Sequence, residues 1–315
     1  MFRGAMLTAL ALALLAPAGA SAARPAVTTG PAASITPSTA TLNGKVDPNG
    51  KETTYFFQIG TTRVYGANTA ETSAGASANP VNVSVPVTAL APATRYHYRL
   101  VARNSDGQRL GEDRTFTTRR QPLGVTLAAN PNPVAPGAPT TLAGQLTGTN
   151  NANRDVVLQA NPFPYTQGFA NVSNVQVTDA AGNFSFPVLS VPLTTQYRVL
   201  MPQRPEIASP IVIVGAALQV TTRTKKVARH RHSVSVRFRG DITPAAAGVR
   251  VDIQKSRNGV WTTIAHTRAR HETSSRSSYS TRVRLFRSGT YRAVANSDGA
   301  LVTGTGRPID IKVRR

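Results

Sequence analysis

The 315-residue chain contains no cysteine. Disulfides, thiolate metal sites, a cysteine nucleophile and a lipid-bearing cysteine are thereby excluded together. Aromatic residues are sparse, with one Trp, eight Tyr and ten Phe, so compact regions must rest on small, mostly aliphatic cores. Acids are also scarce: 14 Asp and Glu stand against 36 Lys and Arg, for a net charge of +22. The apolar run Met6 to Ala16 is too short for a bilayer, which needs about 20 apolar residues. A G-x-S-x-G elbow, a P-loop, G-x-G-x-x-G and H-E-x-x-H are all missing. His271-Glu272 lacks the second histidine of a zinc motif, and no two acids stand out as a glycosidase pair. A non-enzymatic protein with neither metal nor cofactor is expected. His230 and His232 would alternate onto one strand face as two ligands could, but Arg229 and Arg231 beside them create a positive field that disfavours a cation.

What the chain does have is 24 Gly and 22 Pro, the mixture that short strands and tight turns produce. Its first 22 residues read as an export signal. Arg3 supplies the charge, Met6 to Ala16 the apolar stretch, and Ala20-Ser21-Ala22 a small-x-small cleavage site. The mature chain is expected to begin at Ala23, outside the cell, either released or held at the wall.

Alternating strands and turn signals then divide the chain into three β-sandwich modules, at 23–118, 119–216 and 217–315. In the first, Ala40 to Val46 is a strand closed by the turn Asp47-Pro48-Asn49-Gly50. Further on, Leu90-Ala91-Pro92-Ala93-Thr94-Arg95-Tyr96 reads L-x-P-x-T-x-Y, a corner in which the Tyr hydroxyl bonds back to upstream backbone. With Leu42-Asn43-Gly44 and Gly60-Thr61-Thr62, this segment resembles the fibronectin type III modules of actinobacterial secreted proteins. The resemblance implies a β-sandwich and no single function, since such modules serve as spacer, adhesion and binding units alike. In the second module, Val177-Thr178-Asp179-Ala180-Ala181-Gly182-Asn183-Phe184 is similar to the V-x-T-D-x-x-G-x-F pattern of bacterial immunoglobulin-like repeats. The third module echoes the second. Val156-Val157-Leu158-Gln159 matches Val251-Asp252-Ile253-Gln254, Phe184 matches Tyr279, and Tyr197-Arg198 matches Tyr291-Arg292. The predicted fold class is therefore all-β: tandem β-sandwiches, one fibronectin type III-like and two immunoglobulin-like, after a cleaved signal peptide.

The charge is distributed unevenly among these modules. Residues 23–118 hold nine Lys/Arg and six Asp/Glu, residues 119–216 five and three, and residues 217–315 21 and five. The last module thus carries most of the excess. Alternation points Val234, Val236 and Phe238 inward and Arg237 and Arg239 outward, and in the same way turns Arg282 and Arg284 outward. Should these strands be neighbours, the four arginines form one stripe. Arg223, Lys225, Lys226, Arg229 and Arg231 make a second cluster in the preceding segment, and Arg268, Arg270 and Arg276 a third. Arg suits phosphate and carboxylate through its planar fork. The expected partners are an envelope polysaccharide, anionic lipid headgroups or, without sequence reading, nucleic acid; other surface proteins are a further class. In the solvated alternative, the arginines serve solubility alone.

Two aromatic features complete the reading. Trp261 is expected to fill the core of the last module, with sugar stacking as the alternative. Tyr165 and Phe169 lie in a Pro-bounded loop, 161–169, that either contacts a neutral ligand or a protein, or folds onto its own module. The function expected is that of a secreted, non-catalytic binding or structural protein, attached through its basic module. A protein-recognition or adhesion role and a carbohydrate-binding accessory role are the rivals.

Overall fold

The structure, a computed structural model, describes residues 23–296 and 299–313. The expected export signal, residues 1–22, lies outside the described residues. The chain divides into one compact unit ending at Gln121 and a second from Pro122 onward. Every regular element described is a strand.

In the first unit, Ala40–Asp47 pairs with Ala26–Thr29 on one side and Val81–Val87 on the other. The facing sheet is centred on Thr53–Gly60 and Arg95–Asn104. Its edges are Ala67–Asn68 and Thr72–Gly75 at one side, Gly107–Leu110 and Arg114–Thr117 at the other. Thr53–Gly60 alternates buried and half-buried residues without a break, as a strand with one covered face must. Leu42, Val46, Phe57, Tyr98 and Leu100 fill the space between the sheets. The turn after Val46 closes as an Asx turn: Asp47 Oδ1 accepts the Asn49 N–H at 3.0 Å, and Asn49 and Gly50 both take positive φ. At the L-x-P-x-T-x-Y corner, the Ala91 N–H donates to the Tyr96 hydroxyl at 2.9 Å.

The second unit contains two sandwiches with the same strand order. In the first of them Thr140–Thr147 pairs with Gly124–Val125, Ala128–Asn130 and Asn183–Val188. Facing it, Asp155–Pro162 pairs with Thr195–Met201. In the last sandwich Ser233–Thr243 is flanked by Arg223–His230 and Ser277–Leu285. Arg250–Arg257 lies opposite, between Val260–Arg268 and Gly289–Ala295. Each has its own core, Leu142, Leu158 and Phe186 in one and Phe238, Ile253 and Tyr291 in the other.

The repeat read between these two sandwiches has a packing reason. Gly144 sits opposite Phe184, and Gly240 opposite Tyr279. A Cβ on Gly144 would lie 2.0 Å from the Thr126 carbonyl oxygen, and one on Gly240 1.8 Å from that of Thr221. Glycine lets the neighbouring backbone approach where the aromatic ring crosses. Between the sandwiches the chain is held on both sides. Ala217 N–H donates to Val134 O at 2.7 Å, and Val302 N–H to Ala216 O at 2.8 Å.

Trp261 departs from expectation. It lies on an edge strand opposite Ser256, half-buried on the outer side of its sheet, and Phe238 and Tyr291 fill the core instead.

The corner in the first unit can be tested directly. Tyr96→Phe removes the acceptor of the Ala91 N–H, and urea unfolding should show a loss of about 1 kcal/mol with an unchanged m-value.

Candidate anion-binding face

The last sandwich presents one outer sheet face made by Arg223–His230, Ser233–Thr243 and Ser277–Leu285. Val234, Val236, Phe238, Tyr279, Val283 and Leu285 turn inward and are buried. Their alternates Arg237, Arg239, Arg282 and Arg284 are all exposed. Register then aligns the cations across strands. Lys225 lies opposite Arg237, and Arg237 opposite Arg282, forming one transverse row of three. In the next row Arg223 lies opposite Arg239. Arg284 continues the band on the other side, opposite Ser235. Neighbouring strands are about 4.8 Å apart, well inside a Debye length of about 8 Å, so these six charges repel one another.

The described residues provide little internal relief. The ion pairs of this sandwich are Arg250–Asp252 at 2.8 Å and Arg276–Glu272 at 3.2 Å, neither involving the six cations. Arg284 instead donates its Nε–H to Ser233 Oγ at 2.8 Å and lies 5.5 Å over the exposed Phe286 ring. Beneath the face, burial pushes the Tyr279 hydroxyl up to about 12, so it stays neutral while bonding Thr222 Oγ1 and the Thr221 carbonyl.

The second predicted cluster is split by the structure. Arg223 and Lys225 join the face. Lys226 alternates to the other side, opposite Val236, and its Nζ donates to the Lys312 carbonyl at 3.2 Å. A bulge between Lys226 and Ala228 then resets the alternation, so Arg229 pairs with Val234 and leaves the face. Arg231 and His232 occupy the hairpin turn, while His230 lies 3.3 Å from Ser235 Oγ. The two histidines therefore do not share a strand face.

Tyr165 and Phe169 are half-buried and are not brought together as a ligand surface. Tyr165 packs edge-on against Phe163 at 5.6 Å, and the Phe169 ring lies 4.3 Å under the Arg198 guanidinium. That second contact belongs to a constellation found in every sandwich. Arg99, Arg198 and Arg292 lie directly across from Gln58, Gln159 and Gln254 and donate Nε–H to the Gln oxygen at 2.7, 2.8 and 2.9 Å. Each guanidinium also covers an aromatic ring, Tyr65 at 4.7 Å, Phe169 at 4.3 Å and Trp261 at 4.1 Å. The Tyr-Arg and Gln repeats were visible in the sequence; the ring partners, reached from separate connections, were not.

No known protein family matches the chain, and no curated protein matches it. Among solved structures, the chain is similar to the FN1–FN3 domains of chicken CNTN1, at 16% identity over 92% of this chain and 100% of that one, with a TM-score of 0.28. Domains A168–A170 of titin align at 15% identity over 92% and 99%, with a TM-score of 0.36. A tetra-tandem repeat in the extending region of a large adhesion protein aligns at 15% identity over 92% and 74%, with a TM-score of 0.26. The all-β fold, with its fibronectin type III-like and immunoglobulin-like strand order, is established by the pairings and cores themselves.

The charge register makes a stability prediction. Arg282→Glu converts a like-charged cross-strand pair into an opposite one and should stabilise the protein by about 0.5 kcal/mol at low ionic strength. Thermal melts should show the gain shrinking as salt is added. A melt unchanged at low salt would mean the arginines do not feel each other.

Proposed function

We propose that this is a secreted, non-catalytic binding protein whose last sandwich attaches it to an anionic polymer or surface of the cell envelope. The observation that carries this reading is the in-register row Lys225–Arg237–Arg282, continued by Arg223, Arg239 and Arg284, with no paired carboxylate among the described residues. A surface selected for solubility alone would gain by interspersing acids. Repulsion retained on a rigid sheet is relieved when a polyanion displaces the small counter-ions. The face offers neither a groove of stacked aromatics nor a helix for base reading, which favours charge-based attachment over sequence recognition.

The rival readings have less support. The aromatic loop 161–169 is folded onto neighbouring side chains, and the face of Trp261 is covered by Arg292. Among the described residues no helix is long and apolar enough to cross a membrane.

The contacts of Ala23 support the export reading. The Ala23 nitrogen lies 2.8 Å from Asp106 Oδ2, and the Ala23 carbonyl accepts from Asn104 Nδ2 at 3.0 Å. Cleavage after Ala22 would place a new ammonium group on the Asp106 carboxylate, which also pairs with Lys51. The hydrogen bond from Lys51 holds that carboxyl below its ordinary range, with the Ala23 nitrogen adding to the effect. Because the folded value is lowered, the stabilisation is complete above the ordinary carboxylate range near 4 and fades as pH falls through the lowered value.

Two measurements test these readings. Full-length protein on immobilised polyphosphate should be eluted by rising salt. Gln at 237, 239, 282 and 284 should cut retention about tenfold near 0.15 M salt. Gln at Arg95, Arg109, Arg119 and Arg120, which removes equal charge from the first unit, should leave it nearly unchanged. Equal losses from both sets would reduce the face to bulk charge. For export, Asp106→Asn should lower the Tm of the chain starting at Ala23 more than that of a chain with one added residue before it. The difference should vanish in acid.

A further inference from the structure

The basic face takes in two carboxylates at one end. Asp241 follows Arg239 by two residues on the same strand and so shares its outer face. Register sets it beside Ser278, and Ser278 beside Arg270. An open groove of about 400 Å³ lies here, with Arg223, Arg237 and Arg239 contributing its cationic part, Asp241 and Glu272 its acidic part, and Ser280 a hydroxyl between them.

Asp241 is unusual in this groove. The other acid of the groove, Glu272, has a partner in Arg276. The half-buried Asp241 carboxylate has no ion pair among the described residues, although Arg239 shares its strand face. A purely anionic ligand seated on Arg237 and Arg239 would be repelled by that carboxylate. A ligand carrying a positive group a short distance from its anion would be held at both ends. The distance from residue 239 to residue 241 along the strand, about 6.8 Å, suits an anion and a cation joined by a short alkyl spacer. A primary ammonium has three protons to donate, matching the Asp241 carboxylate and the flanking serine hydroxyls.

We propose that the groove between Arg239 and Asp241 binds a phosphate ester that also carries a primary ammonium group. The phosphate oxygens rest on Arg223, Arg237 and Arg239, and the ammonium on Asp241. This deepens the reading of the face as an anion site and rests on it: the polyanion supplies the affinity along the row, and the acidic end selects units bearing an amine.

The test compares two small probes of similar size on the full-length protein, phosphoethanolamine and glycerol phosphate, by calorimetry or NMR titration. Phosphoethanolamine should bind at least fivefold more tightly. Asp241→Asn should abolish that preference while leaving glycerol phosphate binding equal or stronger, and Arg239→Gln should weaken both. The Asp241 side chain makes no ion pair to lose, and a thermal melt verifies that the variant is folded. Equal affinities for the two probes, with Asp241→Asn strengthening both alike, would overturn the proposal while leaving polyphosphate retention intact. Loss of salt-sensitive retention in the unmodified protein would instead remove the underlying reading. Phosphoethanolamine-substituted dextran and vesicles of phosphatidylethanolamine in phosphatidylcholine then distinguish the source. An Asp241-dependent gain on the dextran places the ligand on a polymer, and one on the vesicles alone places it on a membrane. No gain on either counts against the proposal.

Discussion

The pairing of Ser233–Thr243 with Ser277–Leu285 is the constraint on which the proposed binding face depends. Val234, Val236, Phe238, Val283 and Leu285 are buried on one side of that pair, and a slip of one residue would carry all of them into water. The apolar side thus locks a register that the polar side would not choose for itself. Arg237 faces Arg282, and Lys225 faces Arg237, because the core places them there. Burial of several large apolar side chains, at roughly 1.5–3 kcal/mol each, easily outweighs a few tenths of a kcal/mol of surface repulsion. The repulsion persists as a standing preference for counter-charge.

Much of this was legible in the sequence, because strands of one covered face announce themselves by period two. The inward and outward residues of 234–239 and 279–285 follow from alternation, and the corner at Leu90 to Tyr96 from its resemblance to fibronectin type III modules. The unequal partition of charge needed only counting. What alternation could not reveal was where it breaks. The bulge at Val227 reverses the phase of the strand, sending Arg229 away from the face that Lys225 joins. A second bulge, between Ile253 and Gln254, leaves an extra residue in the strand that carries Trp261. The lone Trp was expected inside because its size suits a core. The two sheets are filled without it by Phe238 and Tyr291, whose rings lie 6.1 Å apart. The half-buried Trp side chain is covered by Arg292 instead.

The junction between the second and third sandwiches bears on how such a face would be used. Backbone hydrogen bonds run from residues 215–218 to Val134 on one side and Val302 on the other, leaving no free linker there. Thr194 N–H also donates to the Ala300 carbonyl at 2.8 Å. The proposed ligand of the last sandwich would therefore load its neighbour through paired backbone rather than through a tether. Within this unit, ordering on binding costs little because little is left to order.

The contrast between two kinds of arginine gives the functional reading its physical content. Arg99, Arg198 and Arg292 each have a Gln oxygen and an aromatic ring to rest on. They recur once per sandwich regardless of that sandwich's charge, which marks them as part of the architecture. Among the described residues, Arg237, Arg239 and Arg282 have no ring partner and no paired carboxylate, and they occur where the charge is concentrated. An arginine recruited for folding is anchored, because an unanchored one contributes only side-chain entropy to lose. Those left unanchored in register contribute little to folding stability and are available to a partner outside the chain.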